Sequence, residues 1–264
     1  MIPTLTRLTN KSPAYPGHWR IGKFENLFLA AGSAVVSLVD VYRHDMLATL
    51  TETSTPTPLL QQMRQGMLET DSGRRILAER PRISTKSVDL GVLSSLPKGT
   101  LGKEYSLWLE RCGVTPDTRD PVHYINDEEL AYIVQRYRES HDLYHLLLGQ
   151  RVDILSELII KWFEFSHFKL PVAGLSSVFG PLRLKHSWQR QNLFTDSGPW
   201  AIRQGQRCAP LMGIYWENEW KSSLSDLRSR MNLTGVPDWR DGKGPQGKGK
   251  AVPGSGLEIG AGDV

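Results

Sequence analysis

The middle of the chain constrains the fold most. Apolar residues return there at Leu130, Ile133, Val134, Tyr137, Tyr144 and Leu148. A period of about 3.6 residues kept for about six turns predicts one long helix, not a strand. Asn126 followed by Glu129 resembles a capping box and predicts where it starts. Gly149-Gln150 predicts where it stops. Asp153 is a good N-cap for a second helix through Ile154, Leu158, Trp162 and Phe165. That helix is apolar on almost every side, so it belongs inside the domain. If the two helices fold back on each other, they make a hairpin centred near Arg151.

The flanks extend an all-α reading. Residues 1–20 form a lead-in broken by Pro3, Pro13 and Pro16. Phe24 to Val41 reads as a mostly apolar, buried helix. Leu59 to Arg80 carries helical spacing at Leu60, Met63, Met67, Ile76 and Leu77. Leu101 to Arg111 predicts a short helix, and residues 113–126 a loop. Helical stretches follow Pro171 and Pro199, and a last amphipathic helix is expected from about Pro210 to Asn232. No strand alternation or repeat is present. The expectation is one helical domain over 21–238, with a flexible lead-in (1–20) and a disordered Gly/Lys-rich tail (239–264).

Composition removes several classes. A net charge of +4 over 264 residues is not the footprint of a nucleic-acid binder. Cys112 and Cys208 form no CxxC pair, which excludes a cysteine zinc site and predicts reduced thiols. The longest apolar run, Leu27 to Val39, has 13 residues. A bilayer needs about 20, so no transmembrane helix is expected. Before Glu25 the chain has no acidic residue, while Arg7, Lys11, Arg20 and Lys23 are basic. Solvated ends or attraction to an anionic membrane both fit that charge.

One cluster has metal-ligand logic. His141 and His145 lie one turn apart and continue the apolar stripe, so both imidazoles point inward. Neutral imidazole suits zinc and similar ions. Glu157 lies 12 residues beyond His145, about 18 Å along a continuous helix. In a hairpin the two sit equally far from the turn and face each other. A carboxylate in so apolar a helix needs a partner, and a cation supplies one. Asp142 points about 100° away from His141, so it ligates only from a distorted helix or else orients a histidine from outside. Core histidines satisfied by hydrogen bonds are the alternative to the whole cluster. Two histidines with two carboxylates would also suit iron or manganese.

At these residues the sequence resembles a known family. His141-Asp142-x-x-His145, 11 residues and Glu157 form the signature of the mitochondrial coenzyme Q biosynthesis protein 4 family. Other blocks agree: Tyr42-Arg43-His44-Asp45-Met46, Arg80-Pro81-Arg82-Ile83-Ser84-Thr85 and Pro116-Asp117-Thr118-Arg119. So do Asp127 to Tyr132, Lys161-Trp162-Phe163-Glu164, Phe179 to Arg183 and Pro199-Trp200-Ala201, and the likeness covers roughly 15–235. The short lead-in and the Gly/Lys tail depart from it. The resemblance implies a zinc site at His141, Asp142, His145 and Glu157. It implies a peripheral protein on the matrix side of the inner mitochondrial membrane, in a complex with other ubiquinone biosynthesis proteins. A homodimer is left open.

The activity the resemblance implies is removal of the C1 carboxyl from a 4-hydroxy-3-methoxy-5-polyprenylbenzoate. A Lewis-acidic metal would stabilise the charge left on the ring, and His44 or Asp45 could supply the proton. Arg80, Arg82 and Arg183 could hold the anionic head group. The segments Leu27–Val39 and Ile154–Phe165 could shield the isoprenoid tail, or a Trp216/Trp220 helix could lie on the membrane. Two other readings compete. One is a non-catalytic prenyl-lipid scaffold that organises the complex. The other is a His-Asp phosphohydrolase built from His123, His141-Asp142 and Asp153.

Overall fold

The computed structural model describes residues 12–39 and 43–238. Its helices are α1 (Lys23–Val39), α2 (His44–Ser54), α3 (Thr57–Leu68), α4 (Asp71–Glu79), α5 (Leu90–Ser95) and α6 (Leu101–Cys112). Then come α7 (Glu128–Leu147), α8 (Ile154–Phe168), α9 (Pro171–Phe179), α10 (Ser187–Asn192), α11 (Gly198–Arg207) and α12 (Leu224–Arg230). Among the described residues there is no strand, so the all-α expectation holds. The expected tail and most of the lead-in lie outside the described residues. No described helix is long and apolar enough to cross a membrane.

The hairpin forms as its local signals dictate. Gly149 ends α7 at φ +62°. The Gln150 N–H donates to the His145 carbonyl and the Gly149 N–H to that of Leu146, a Schellman closure. Glycine is required there on two counts. L-residues avoid that φ, and a Cβ would lie 1.8 Å from the Pro237 carbonyl oxygen. Asp153 then caps α8 by accepting from the Ser156 N–H. The cap of α7 is Asp127, which accepts from the Leu130 N–H. Asn126, the expected cap, instead bonds His18.

Helix α7 is the axis of the molecule, with every residue from Leu130 to Leu147 buried. Helix α8 packs on it and carries α9 and α11. Two long helices expected from periodicity are broken. Leu59 to Arg80 divides because Thr70 caps α4 by accepting from the Gly73 N–H. The stretch after Pro210 makes two 3-10 turns before Ser223 caps α12. Tertiary hydrogen bonds compete there with a helical ladder, since Ser72 donates to the Gly213 carbonyl. Trp216 is 1% exposed, so it is a core residue and no membrane anchor.

Helix α1 corrects a further expectation. It is no buried helix: Phe24, Leu27, Phe28, Val35 and Val39 are exposed. Its packed side is the small and polar one. Ser33 is buried, and Asn26 donates to the Thr53 carbonyl of α2.

Candidate metal centre

The hairpin brings three donors together across the α7/α8 interface. Nε2 of His141 and Nε2 of His145 are 3.3 Å apart. Glu157 sets one oxygen 3.2 Å from His145 Nε2 and the other 3.4 Å from His141 Nε2. Among the described residues this is the group of histidine, cysteine and acidic side chains whose ligand atoms crowd in this way, all within 4.8 Å of one another. Donors bound to zinc at about 2.0–2.1 Å in a tetrahedron stand about 3.3 Å from one another. The residues therefore fit such an ion.

The hydrogen bonds around them argue the same way. Glu164 lies 2.8 Å from His141 Nδ1, and Lys161 donates to its other oxygen at 2.7 Å. A histidine giving Nδ1–H to a buried carboxylate presents a lone pair at Nε2. Glu157 presents only lone pairs as well. Three facing lone-pair donors repel unless a metal or a proton lies between them. Burial and the Lys161 ammonium oppose charging His141, yet the Glu164 and Glu157 carboxylates prevail and raise its pKa. Burial would raise the pKa of Glu157, but His145 and His141 hold it well below the usual carboxylate range. Glu164 resists its own burial through Lys161 and His141 and falls to about 2. His145 has no such support. Its Nδ1 has no hydrogen-bond partner, and Trp108 packs on the ring at 5.4 Å.

The site is open on one side. The Glu157 side chain is 40% exposed, whereas that of His145 is 1% exposed. The triad offers three donors, and the exposed edge of Glu157 is where an ion held there would meet solvent.

Asp142 lies outside the triad. It is 1% exposed and ion-paired with Arg119. One residue of helical rotation past His141 turns it toward the 113–126 loop. Asp45 is exposed at the start of α2, where Arg43 bonds both its oxygens and lowers its pKa. His44 opens α2, and its side chain lies outside what is described. The arginines expected to hold a head group are occupied elsewhere: Arg80 by Glu128, Arg82 by Glu139 and Arg183 by the Ser37 carbonyl. His123 bonds the Gly17 carbonyl and Asp153 caps α8, so neither joins His141 as a phosphohydrolase would need.

Sequence reasoning missed Glu164 and Lys161. The signal was present: Glu157, Lys161 and Glu164 follow one another at i, i+4 and i+7, one polar stripe on an otherwise apolar helix. Arg119 carried no local signal, being 23 residues from its partner.

Residues 15–237 match the family profile described as Coenzyme Q (ubiquinone) biosynthesis protein Coq4. The mitochondrial ubiquinone biosynthesis protein COQ4 of Coprinopsis cinerea is 46% identical over 239 residues, covering 90% of this chain and 81% of its own length. The mitochondrial COQ4 homolog of Homo sapiens is 43% identical over 236 residues, covering 89% and 88%. A crystal structure from Nostoc punctiforme PCC 73102, 19% identical, agrees at a TM-score of 0.63 over 79% of this chain and 99% of that one, which speaks for the helical fold alone. With this coverage and identity, the chain belongs to the Coq4 family of coenzyme Q (ubiquinone) biosynthesis proteins.

Proposed function

We propose that the chain acts in mitochondrial ubiquinone biosynthesis as a metal-dependent decarboxylase. Its substrate in this reading is 4-hydroxy-3-methoxy-5-polyprenylbenzoate, whose C1 carboxyl group leaves as CO2 while C1 takes a proton, giving 2-methoxy-6-polyprenylphenol. Supporting this are the family of the chain and, above all, the three donors of His141, His145 and Glu157 at 3.2–3.4 Å spacing. Those residues would hold zinc, and the same donors accept iron or manganese. When bound, the ion supplies Lewis acidity for the charge that develops on the ring. Glu164 fixes the tautomer of His141 and Lys161 fixes Glu164. The exposed edge of Glu157 is the side from which the ring enters. His44 and Asp45 are the alternatives for the group that supplies the proton to C1. Asp45, held ionised by Arg43, can only accept, which leaves His44 to donate.

The reading extends to place and company. The chain would sit on the matrix face of the inner membrane among other ubiquinone biosynthesis proteins. The exposed apolar side of α1 supports a membrane surface as its resting place.

Metal content and CO2 release, measured together on purified protein with a prenylated 4-hydroxy-3-methoxybenzoate, test the activity. Metal-dependent CO2 release that disappears in a folded Glu157→Ala protein is the expected result. Full activity in that variant sinks the metal role. Bound metal with no CO2 release, oxidant supplied, transfers the proposal to a prenyl-lipid scaffold for the complex.

A further inference from the structure

Arg119 stands beside the metal triad with most of its donors unused. It follows the 3-10 turn Pro116–Thr118, and its side chain is 30% exposed. One terminal nitrogen bonds Asp142, whose side chain is 2% exposed. Its Nε is buried with no hydrogen-bond partner. A guanidinium has five N–H donors in a rigid fork, so a single carboxylate edge leaves it under-satisfied. Burial works against its charge, Asp142 more than restores it, and Glu157 and Tyr105 lie close enough to add to it. Asp142 directly follows His141 and stands three residues before His145 on α7, so the guanidinium it holds lies at the flank of the two imidazoles.

Charge counting says what belongs there. Asp142 and Arg119 cancel, as do Glu164 and Lys161. A divalent ion on Glu157 and two neutral imidazoles leaves one positive charge uncompensated. One monoanion balances it, and the vacant guanidinium donors match a carboxylate in geometry.

We propose that Arg119, clamped by Asp142, is the substrate-positioning residue that receives the carboxylate of the aromatic acid at the open side of the metal triad. Asp142 then serves the site as the anchor of Arg119. The inference rests on the decarboxylase reading for the identity of its ligand, a ring-borne carboxylate.

Two probes isolate it: 4-hydroxy-3-prenylbenzoate and its primary amide, which differ only in the charged group. Binding of each to zinc-loaded protein is measured by calorimetry, with zinc content and unfolding midpoint recorded alongside. Wild type should prefer the acid by about tenfold to a hundredfold, the scale of a charge-assisted hydrogen bond. Arg119→Gln should lose that preference while keeping its zinc. Because this variant leaves Asp142 buried without a counter-charge, Arg119→Gln/Asp142→Asn is measured as well. The double variant removes both charges together, and it too should bind zinc but not discriminate. An unchanged preference for the acid in either variant overturns the inference. So does loss of zinc from the folded double variant, which would make Asp142 a ligand and not an anchor. Wild type that binds neither probe overturns the ring-acid reading as well, whereas CO2 release with an acid preference independent of Arg119 overturns this inference alone.

Discussion

Helices α7 and α1 invert each other. Helix α7 is buried along its length and yet carries Arg136, Arg138, Glu139, His141, Asp142 and His145. Helix α1 is among the most apolar segments of the sequence and yet turns Phe24 and Phe28 outward, 90% and 78% exposed. In α7 the charges are tolerable because each meets a counter-charge: Arg136 with Glu217, Arg138 with Glu52, Glu139 with Arg82, Asp142 with Arg119. Desolvated ions cost several kcal/mol unless paired and hydrogen-bonded, so such an axis exists only as a complete set. In α1 the apolar face is left exposed by the described residues of the chain. The lesson is that hydropathy reports what a residue can be buried against, not whether it is buried. The centre of this molecule is organised around paired charges and its edge around exposed apolar side chains.

Breaking one pair of the axis should have the largest effect. Arg138 and Glu52 are both buried, and Glu52 also accepts from the backbone N–H groups of His123 and Tyr124 at 2.7 and 2.6 Å. Glu52→Gln leaves the Arg138 cation without its partner. We expect a loss of about 3–5 kcal/mol in urea unfolding, the usual cost of orphaning a buried charge. A loss below about 1 kcal/mol would mean that water reaches this pair and that the axis is not dry.

Next in size is the support of the metal triad. Glu164→Gln keeps the shape beside His141 but removes the charge. Zinc affinity should fall about 10-fold to 100-fold, as it does when the outer partner of a ligating histidine is lost. The pH dependence should move with it. Protons and metal compete for Nε2 of His141, and its pKa is raised by Glu164 and Glu157 against burial and Lys161. Zinc binding should therefore weaken as pH falls, beginning above the ordinary imidazole value of about 6.5. Removing the Glu164 charge takes away part of that elevation, so the fall should begin at lower pH in the variant. Competition titrations with a zinc indicator across pH 5.5–8.5 read both effects. An unchanged affinity and an unchanged profile would assign Glu164 to packing alone.

What the sequence disclosed of this contrast depends on whether the signal was local. Gly149 and Asp153 act on their own backbone, so the hairpin was legible, and with it the facing of His145 and Glu157. The one-turn spacing of His141 and His145 was equally plain. Asp142 carried a weaker signal, because its direction follows from helical rotation but its partner Arg119 comes from a loop before the helix. The break at Thr70 and the turns before Ser223 could not be read, since side chains distant in sequence decide them. Helix α1 misled for a different reason. Periodicity marks two faces, one of Asn26 and Ser33 and one of Phe24 and Phe28, and ordinarily the larger apolar face goes in. Here Asn26 reaches a carbonyl of α2, which fixes the polar face inward.

That inversion supplies the smallest expected effect on stability. Phe24→Ser/Phe28→Ser removes two exposed rings and should change unfolding free energy by no more than about 0.5 kcal/mol. Association should respond instead. The Arg183 guanidinium donates to the Ser37 carbonyl, which sets Leu182, 81% exposed, beside the second half of α1. Lys23, next to Phe24 in the first turn of α1, and Lys185, three residues beyond Leu182, are both exposed, so basic residues accompany the apolar ones. Such a face suits anionic lipid, into which aromatic rings insert while lysines meet the phosphates. In co-sedimentation with cardiolipin-containing vesicles, the wild type should partition at least about tenfold more strongly than the double variant, and high salt should weaken it. If both proteins sediment alike but the variant alone becomes monomeric in light scattering, the face holds a second copy of the chain. The contrast with α7 would then survive, with a protein in place of a bilayer as what covers α1.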